Sequence, residues 1–242
     1  MNQFVFPPIS KLNKIIVIAT TASYVLDAIL KLTGGFALET IIGLFPPNFY
    51  SGFIFQLVTY PLYHNQLLDF IFSSLIVWWI GSELEYILGF KRYLLLYLTV
   101  TVGTGLFFLG INYFFINLFV PVAFSGLQGF NYSLLILYAI FYPTRPMLLM
   151  GIFPLKAKYF CLILGFMEFY LSIFSPHKII SLSHLFSILC AVLFVFIMDR
   201  SLLSFNAPFK WKKREAPKRR SHLKIVENDD ESNKKNDPKY WH

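Results

Sequence analysis

The chain has 242 residues, of which 56% are hydrophobic, 19% aromatic and 14% charged, with a formal net charge of +8. A soluble domain carries about a quarter charged residues, so this composition excludes a soluble globular protein and points to a polytopic integral membrane protein. The positive charge does not indicate nucleic acid: twelve of the 21 lysines and arginines follow Asp199, in a segment poor in apolar residues and without an aromatic-basic module.

A spanning helix needs about 20 mostly apolar residues. Six segments qualify, at roughly 14–31, 66–82, 92–114, 126–142, 157–174 and 181–198. The first is followed by Lys31, Leu32, Thr33, Gly34 and Gly35 without a small-x-small cleavage pattern, so it is expected to remain as a helix. Residues 1–13 then form a short cytoplasmic segment, 14–198 the membrane domain, and 199–242 a basic cytoplasmic tail whose composition predicts disorder. Lys11, Lys14, Lys91, Arg92, Arg145, Lys156 and Lys158 fall on one side with the tail, and only Lys31 and Lys178 on the other. The positive-inside rule puts both termini in the cytoplasm, in agreement with an even number of spans.

The connection from Leu32 to Asn65 is long, mostly apolar and broken by Gly34, Gly35, Pro46, Pro47 and Pro61. Irregular backbone at membrane depth must be covered by protein, so this segment is expected in the interface or between helices. The loop from Asn112 to Phe124 is apolar as well. Cys161 and Cys190 lie inside apolar segments as small core hydrophobes, with neither disulfide nor zinc spacing.

Ionisable and polar residues at membrane depth are costly, and each is a functional hypothesis. They are Asp27, His64, Asp69, Ser73, Gln128, Asn131, Glu168 and His184. His184 opens the sixth span with Ser187 and Ala191 on the same face, and small residues at that spacing let another backbone approach closely. Gly126-Leu127-Gln128-Gly129, followed by Ser133, gives the fourth span a second small-residue face. No second histidine stands at ligand spacing from His64, so neither metal nor cofactor is expected.

The run Phe55-Gln56-Leu57-Val58-Thr59-Tyr60 leading to His64 resembles the bacterial rhomboid intramembrane serine proteases, as do Trp78-Trp79-Ile80-Gly81-Ser82-Glu83-Leu84-Glu85 and Phe90-Lys91-Arg92-Tyr93. So do Pro154-Leu155-Lys156-Ala157-Lys158-Tyr159-Phe160 with Glu168 beyond, and His184 with its small-residue face. The resemblance implies an all-α, six-transmembrane-helix rhomboid fold in a bacterial inner membrane. It also implies a serine nucleophile in Gly-x-Ser-Gly on the fourth span, a histidine base on the sixth, and a His and an Asn on the second that stabilise the oxyanion.

Carried onto this chain, that pattern meets departures. The nucleophile motif matches Ala123-Phe124-Ser125-Gly126, which keeps a serine, or Gly126-Leu127-Gln128-Gly129, which keeps both glycines and puts Gln128 at the reacting position. The second register also puts Tyr132 where the family often has an aromatic, with the small Ser133 beside it, and it is favoured on spacing. The oxyanion positions after His64 hold Asp69 and Ser73. An ionised carboxylate is a poor oxyanion donor.

The expected function is therefore a degenerate rhomboid that binds transmembrane segments of client proteins without cutting them. Gly126, Gly129 and Tyr132 would line the binding site, and the remaining partner is the lipid bilayer. Gln128 is expected to hydrogen-bond His184. Two rivals stand beside this reading: an active protease using Ser125 and His184, and a transporter or channel suggested by Asp27, Asp69 and Glu168, though without the repeated halves typical of transporters.

Overall fold

The computed structural model describes residues 8–34, 38–114, 122–149 and 153–198, all within one compact unit, Met1–Ser204. The basic tail from 199 onward and much of the apolar loop after Asn112 lie outside the described residues.

The protein is mostly helical. Among the described residues, five helices are long and apolar enough to cross a membrane. They are α1 (Lys11–Leu32), the continuous run Leu67–Leu88, α7 (Phe90–Phe114), α9 (Ala157–Phe174) and α10 (Lys178–Met198). The run Leu67–Leu88 consists of α5 (Leu67–Ile76), a π-helical turn (Val77–Gly81) and α6 (Ser82–Leu88). The fourth expected span is shorter: α8 (Gln128–Phe141) has 14 residues. At 1.5 Å per residue it is about 21 Å long, less than the roughly 30 Å of a hydrocarbon core.

α8 is the centre of the bundle. It packs on α7, α9, α10 and the π turn, and most of its residues are buried. The small residues singled out in the sequence set its distance from α10. Ser187 and Ala191 are fully buried, and a Cβ at Gly129 would stand 3.3 Å from Ser187 Oγ. Ser187 Oγ donates to the Gly129 carbonyl (2.7 Å) and Ser133 Oγ to the Ser187 carbonyl (2.9 Å), which ties the two backbones together. The peripheral helices bury one stripe each. On α9 only Ala157, Cys161 and Glu168 are buried, whereas Leu162, Phe166, Phe169 and Tyr170 are exposed, the pattern of a helix with a broad lipid face.

The connection after α1 folds into three short helices, α2 (Glu39–Ile42), α3 (Pro46–Tyr50) and α4 (Gln56–Thr59), then a 3₁₀ turn at Tyr60–Leu62. Several of its described backbone groups find side-chain or backbone partners, as burial demands. Gln56 is fully buried: its Nε2 donates to the Thr40 and Ile41 carbonyls and its Oε1 accepts from Phe45 N–H. Tyr60 Oη donates to the Thr101 carbonyl of α7 (3.0 Å). Leu44 and Phe124 exchange both backbone hydrogen bonds at 2.9 Å, so the connection pairs with the segment that enters α8. Leu44, Tyr60, Phe108, Leu109, Phe124 and Ile179 form a second apolar cluster beneath it. Asp27 anchors the start of this connection: it accepts from Leu38 N–H (3.2 Å) and pairs with Lys31 (2.8 Å).

The expectation of an all-α protein needs one correction. β1 (Pro146–Leu149) and β2 (Phe153–Lys156) pair antiparallel between α8 and α9, with Pro146 opposite Lys156 and Leu149 opposite Phe153. Pro146 and Pro154 disfavour a continued helix, and a hairpin satisfies the backbone of an apolar connection internally.

The start of α1 is fixed by Glu85 of α6. Its carboxylate accepts from Ser10 Oγ, from the Leu12 and Asn13 N–H groups (3.3 and 3.4 Å) and from Asn13 Nδ2 (3.4 Å). A carboxylate at a helix N-terminus fills orphan donors and complements the helix dipole. Tyr93 Oη donates to Asn13 Oδ1 (2.9 Å). A Cβ at Gly81 would come within 2.6 Å of that Tyr93 oxygen, so only glycine admits this contact. On the same end, Arg145 pairs with Glu83 (2.8 Å) and lies over the Tyr142 ring.

Candidate functional site

The sequence-derived site residues converge at the opposite end, where α5, α8 and α10 begin. The approach to α8 is extended. Phe124 is held by Leu44, and Gly126 N–H donates to the Tyr60 carbonyl (3.0 Å). Gly126 then turns the chain into the helix at φ +89°, a conformation that favours glycine. Ser125 lies between these two backbone anchors, half-buried, and makes no hydrogen bond to another described residue.

His64 is buried at the base of this turn. Its Nε2 accepts from Leu127 N–H at 3.4 Å, an orientation that needs the neutral imidazole. Burial pushes the His64 pKa below its ordinary value, more strongly than the neighbouring Asp69 and the Leu62 backbone raise it. His64 thus caps a backbone donor at the mouth of α8.

Gln128 is the first residue of α8 and its side chain is exposed. The expected bond to His184 is not formed. Gln128 Nε2 donates to Asp69 Oδ1 at 3.1 Å, and Ser73 Oγ donates to the same oxygen at 3.3 Å. A position that begins a helix projects outward along the mouth, and the first turn of α5 supplies a charged acceptor there. Asp69 Oδ2 has no hydrogen-bond partner among the described residues, and it faces the spot where a Cβ on Gly126 would sit, 3.6 Å away.

His184 is buried one layer deeper. Its ring lies against Phe124 and Tyr132, with centroids 5.6 Å away in each case, and against Gly129. Its Nδ1 stands 3.5 Å from Glu168 Oε2, and neither atom makes a hydrogen bond. Tyr132 and Ser181 lie close enough to interact with the same carboxylate. Glu168 is therefore the acidic neighbour of the histidine. Among the described residues no hydroxyl or amide is hydrogen-bonded to the His184 side chain, since Ser187 Oγ is directed to the Gly129 and His184 carbonyls.

The structure thus groups the candidates in two sets. Gln128, Asp69 and Ser73 form a hydrogen-bonded polar set running from the exposed Gln128 to the buried Ser73, and His184, Glu168 and Tyr132 form a second set around the buried histidine, with Gly129 close against His184. Sequence reading missed the role of Phe124, which both pairs with Leu44 and covers His184. The segment carries no motif for a single isolated bridge, and nothing in the residue types announces it. The pairing of Glu168 with His184 had a signal, in two ionisable residues at membrane depth on consecutive helices.

Residues 51–201 match the profile of the Rhomboid domain. Comparison with curated proteins gives no match.

Proposed function

The chain belongs to the rhomboid family, and from that premise we propose that it is a pseudoprotease that holds transmembrane segments of client proteins without cleaving them. The observation that carries this reading is the bond from Gln128 to Asp69. In the register that keeps both glycines, the reacting position is an amide engaged with a carboxylate. Glutamine offers neither a nucleophilic lone pair nor a proton for the histidine to remove, and Asp69 would repel the negative charge that develops in acyl transfer. His184, packed between Phe124 and Tyr132, has Glu168 as its polar neighbour.

The experiment is reconstitution of the full chain with a membrane-embedded rhomboid substrate carrying a photocrosslinker. Crosslinked complex without cleavage products is expected. Cleavage that Ser125→Ala abolishes would overturn the reading and restore the serine-protease alternative.

The topology belongs to the same proposal. α8 serves as a sixth, protein-enclosed span, with both termini in the cytoplasm of a bacterial cell. Support comes from the ends of the bundle: the Lys11 end of α1 meets Glu85, and Arg145 meets Glu83, while Lys31 lies at the other end, bonded to Asn65 (3.2 Å). Cysteines introduced at Lys91 and Lys178 should be labelled by an impermeant reagent only at position 178. The opposite pattern contradicts the orientation.

A further inference from the structure

We propose that Asp69 and Gln128 form a recognition site for a basic side chain, lysine or arginine, near the external end of a client's transmembrane segment. The inference rests on the client-holding reading above and adds what the site selects.

Both neighbours that donate to Asp69, Gln128 Nε2 and Ser73 Oγ, use Oδ1. Oδ2 is left at the surface of the turn beside Gly126 with lone pairs free. Among the described residues no cation pairs with Asp69; Lys31, at the same end of the bundle, is held by Asp27 and Asn65. Gln128 donates through its nitrogen, so its Oε1 adds a second acceptor next to the first.

Asp69 Oδ2 and Gln128 Oε1 are thus two acceptors left without a donor among the described residues. Their ligand must therefore supply N–H groups and positive charge. The apolar part of such a client has a surface to lie on, because Leu68, Phe72 and Leu75 form an exposed stripe on α5 flanking Asp69. A simpler account makes Asp69 a favourable charge in the first turn of α5. That explains why a carboxylate is tolerated, but not why its free oxygen faces the mouth of α8.

The test uses the full chain in nanodiscs of phosphatidylglycerol and phosphatidylcholine. Two fluorescent transmembrane peptides, identical except for lysine or norleucine near the external end, are titrated against it. Lysine should bind about tenfold tighter, the size of one charge-assisted hydrogen bond, and Asp69→Asn should bring the ratio close to one. Equal binding of the two peptides to the unmodified protein overturns the inference without any variant, and so does a lysine preference that survives Asp69→Asn. A preference that disappears when phosphatidylethanolamine replaces phosphatidylcholine overturns it too, by assigning the site to a lipid amine. Failure of every peptide to bind removes the client-holding reading along with this one. Cleavage of the bound peptide removes only the former.

Discussion

The two ends of the bundle treat buried polar groups in opposite ways. At the Glu85 end, the carboxylate of α6 takes four donors from Ser10, Leu12 and Asn13, and Asn13 is completed by Tyr93. At the His184 end, His184 Nδ1 and Glu168 Oε2 face each other at 3.5 Å without a hydrogen bond, Asn131 Oδ1 is buried without one, and Asp69 keeps one oxygen open. Satisfied buried networks rigidify a fold, whereas unsatisfied ones are costly and point to a site that a ligand completes. The first end locks α1 to α6 and α7. The second leaves polar groups open around the mouth of α8.

The largest effect should come from breaking the satisfied end. Glu85→Ala removes one acceptor from several donors at once and is expected to cost about 3 kcal/mol. Denaturant unfolding in detergent measures it, and a loss below about 1 kcal/mol would mean that water replaces the carboxylate and that the two ends do not differ as described.

A smaller effect is expected at the open end. Gln128→Ala deletes one exposed hydrogen bond to a charged group and should cost about 1 kcal/mol or less. In double-mutant cycles it should couple to Asp69→Asn and be additive with His184→Phe. Coupling to His184 instead would return Gln128 to the histidine and undo the division into an Asp69 set and a His184 set.

Much of the fold was legible because the residues that carry the family resemblance are mostly those that hold the backbone. Gln56 and Tyr60 satisfy the long connection, Gly81, Glu85 and Tyr93 fix the start of α1, and Ser187 and Ala191 admit α8. Their types are forced by close approach or by buried backbone groups, so each type names its role. The strand pair at Pro146–Leu149 and Phe153–Lys156 was not legible, because a short apolar run with two prolines between two spans reads as a loop. The partner of Gln128 was not legible either. Periodicity puts a residue on a helix face but does not say which neighbouring helix presents an acceptor there. The first turn of α5 supplied it, ahead of the deeper histidine. Composition likewise located an apolar segment at 126–142 without showing that its helix would be 14 residues and enclosed by the others.

The central claim is that no serine of this chain is activated by His184. The most direct measurement is covalent labelling of the full chain in liposomes by a serine-reactive fluorophosphonate, with peptide mapping by mass spectrometry. The chain is predicted to stay unlabelled at Ser125 even when an active rhomboid in the same liposomes is fully labelled. Stoichiometric labelling at Ser125 that is lost in His184→Phe would contradict the account.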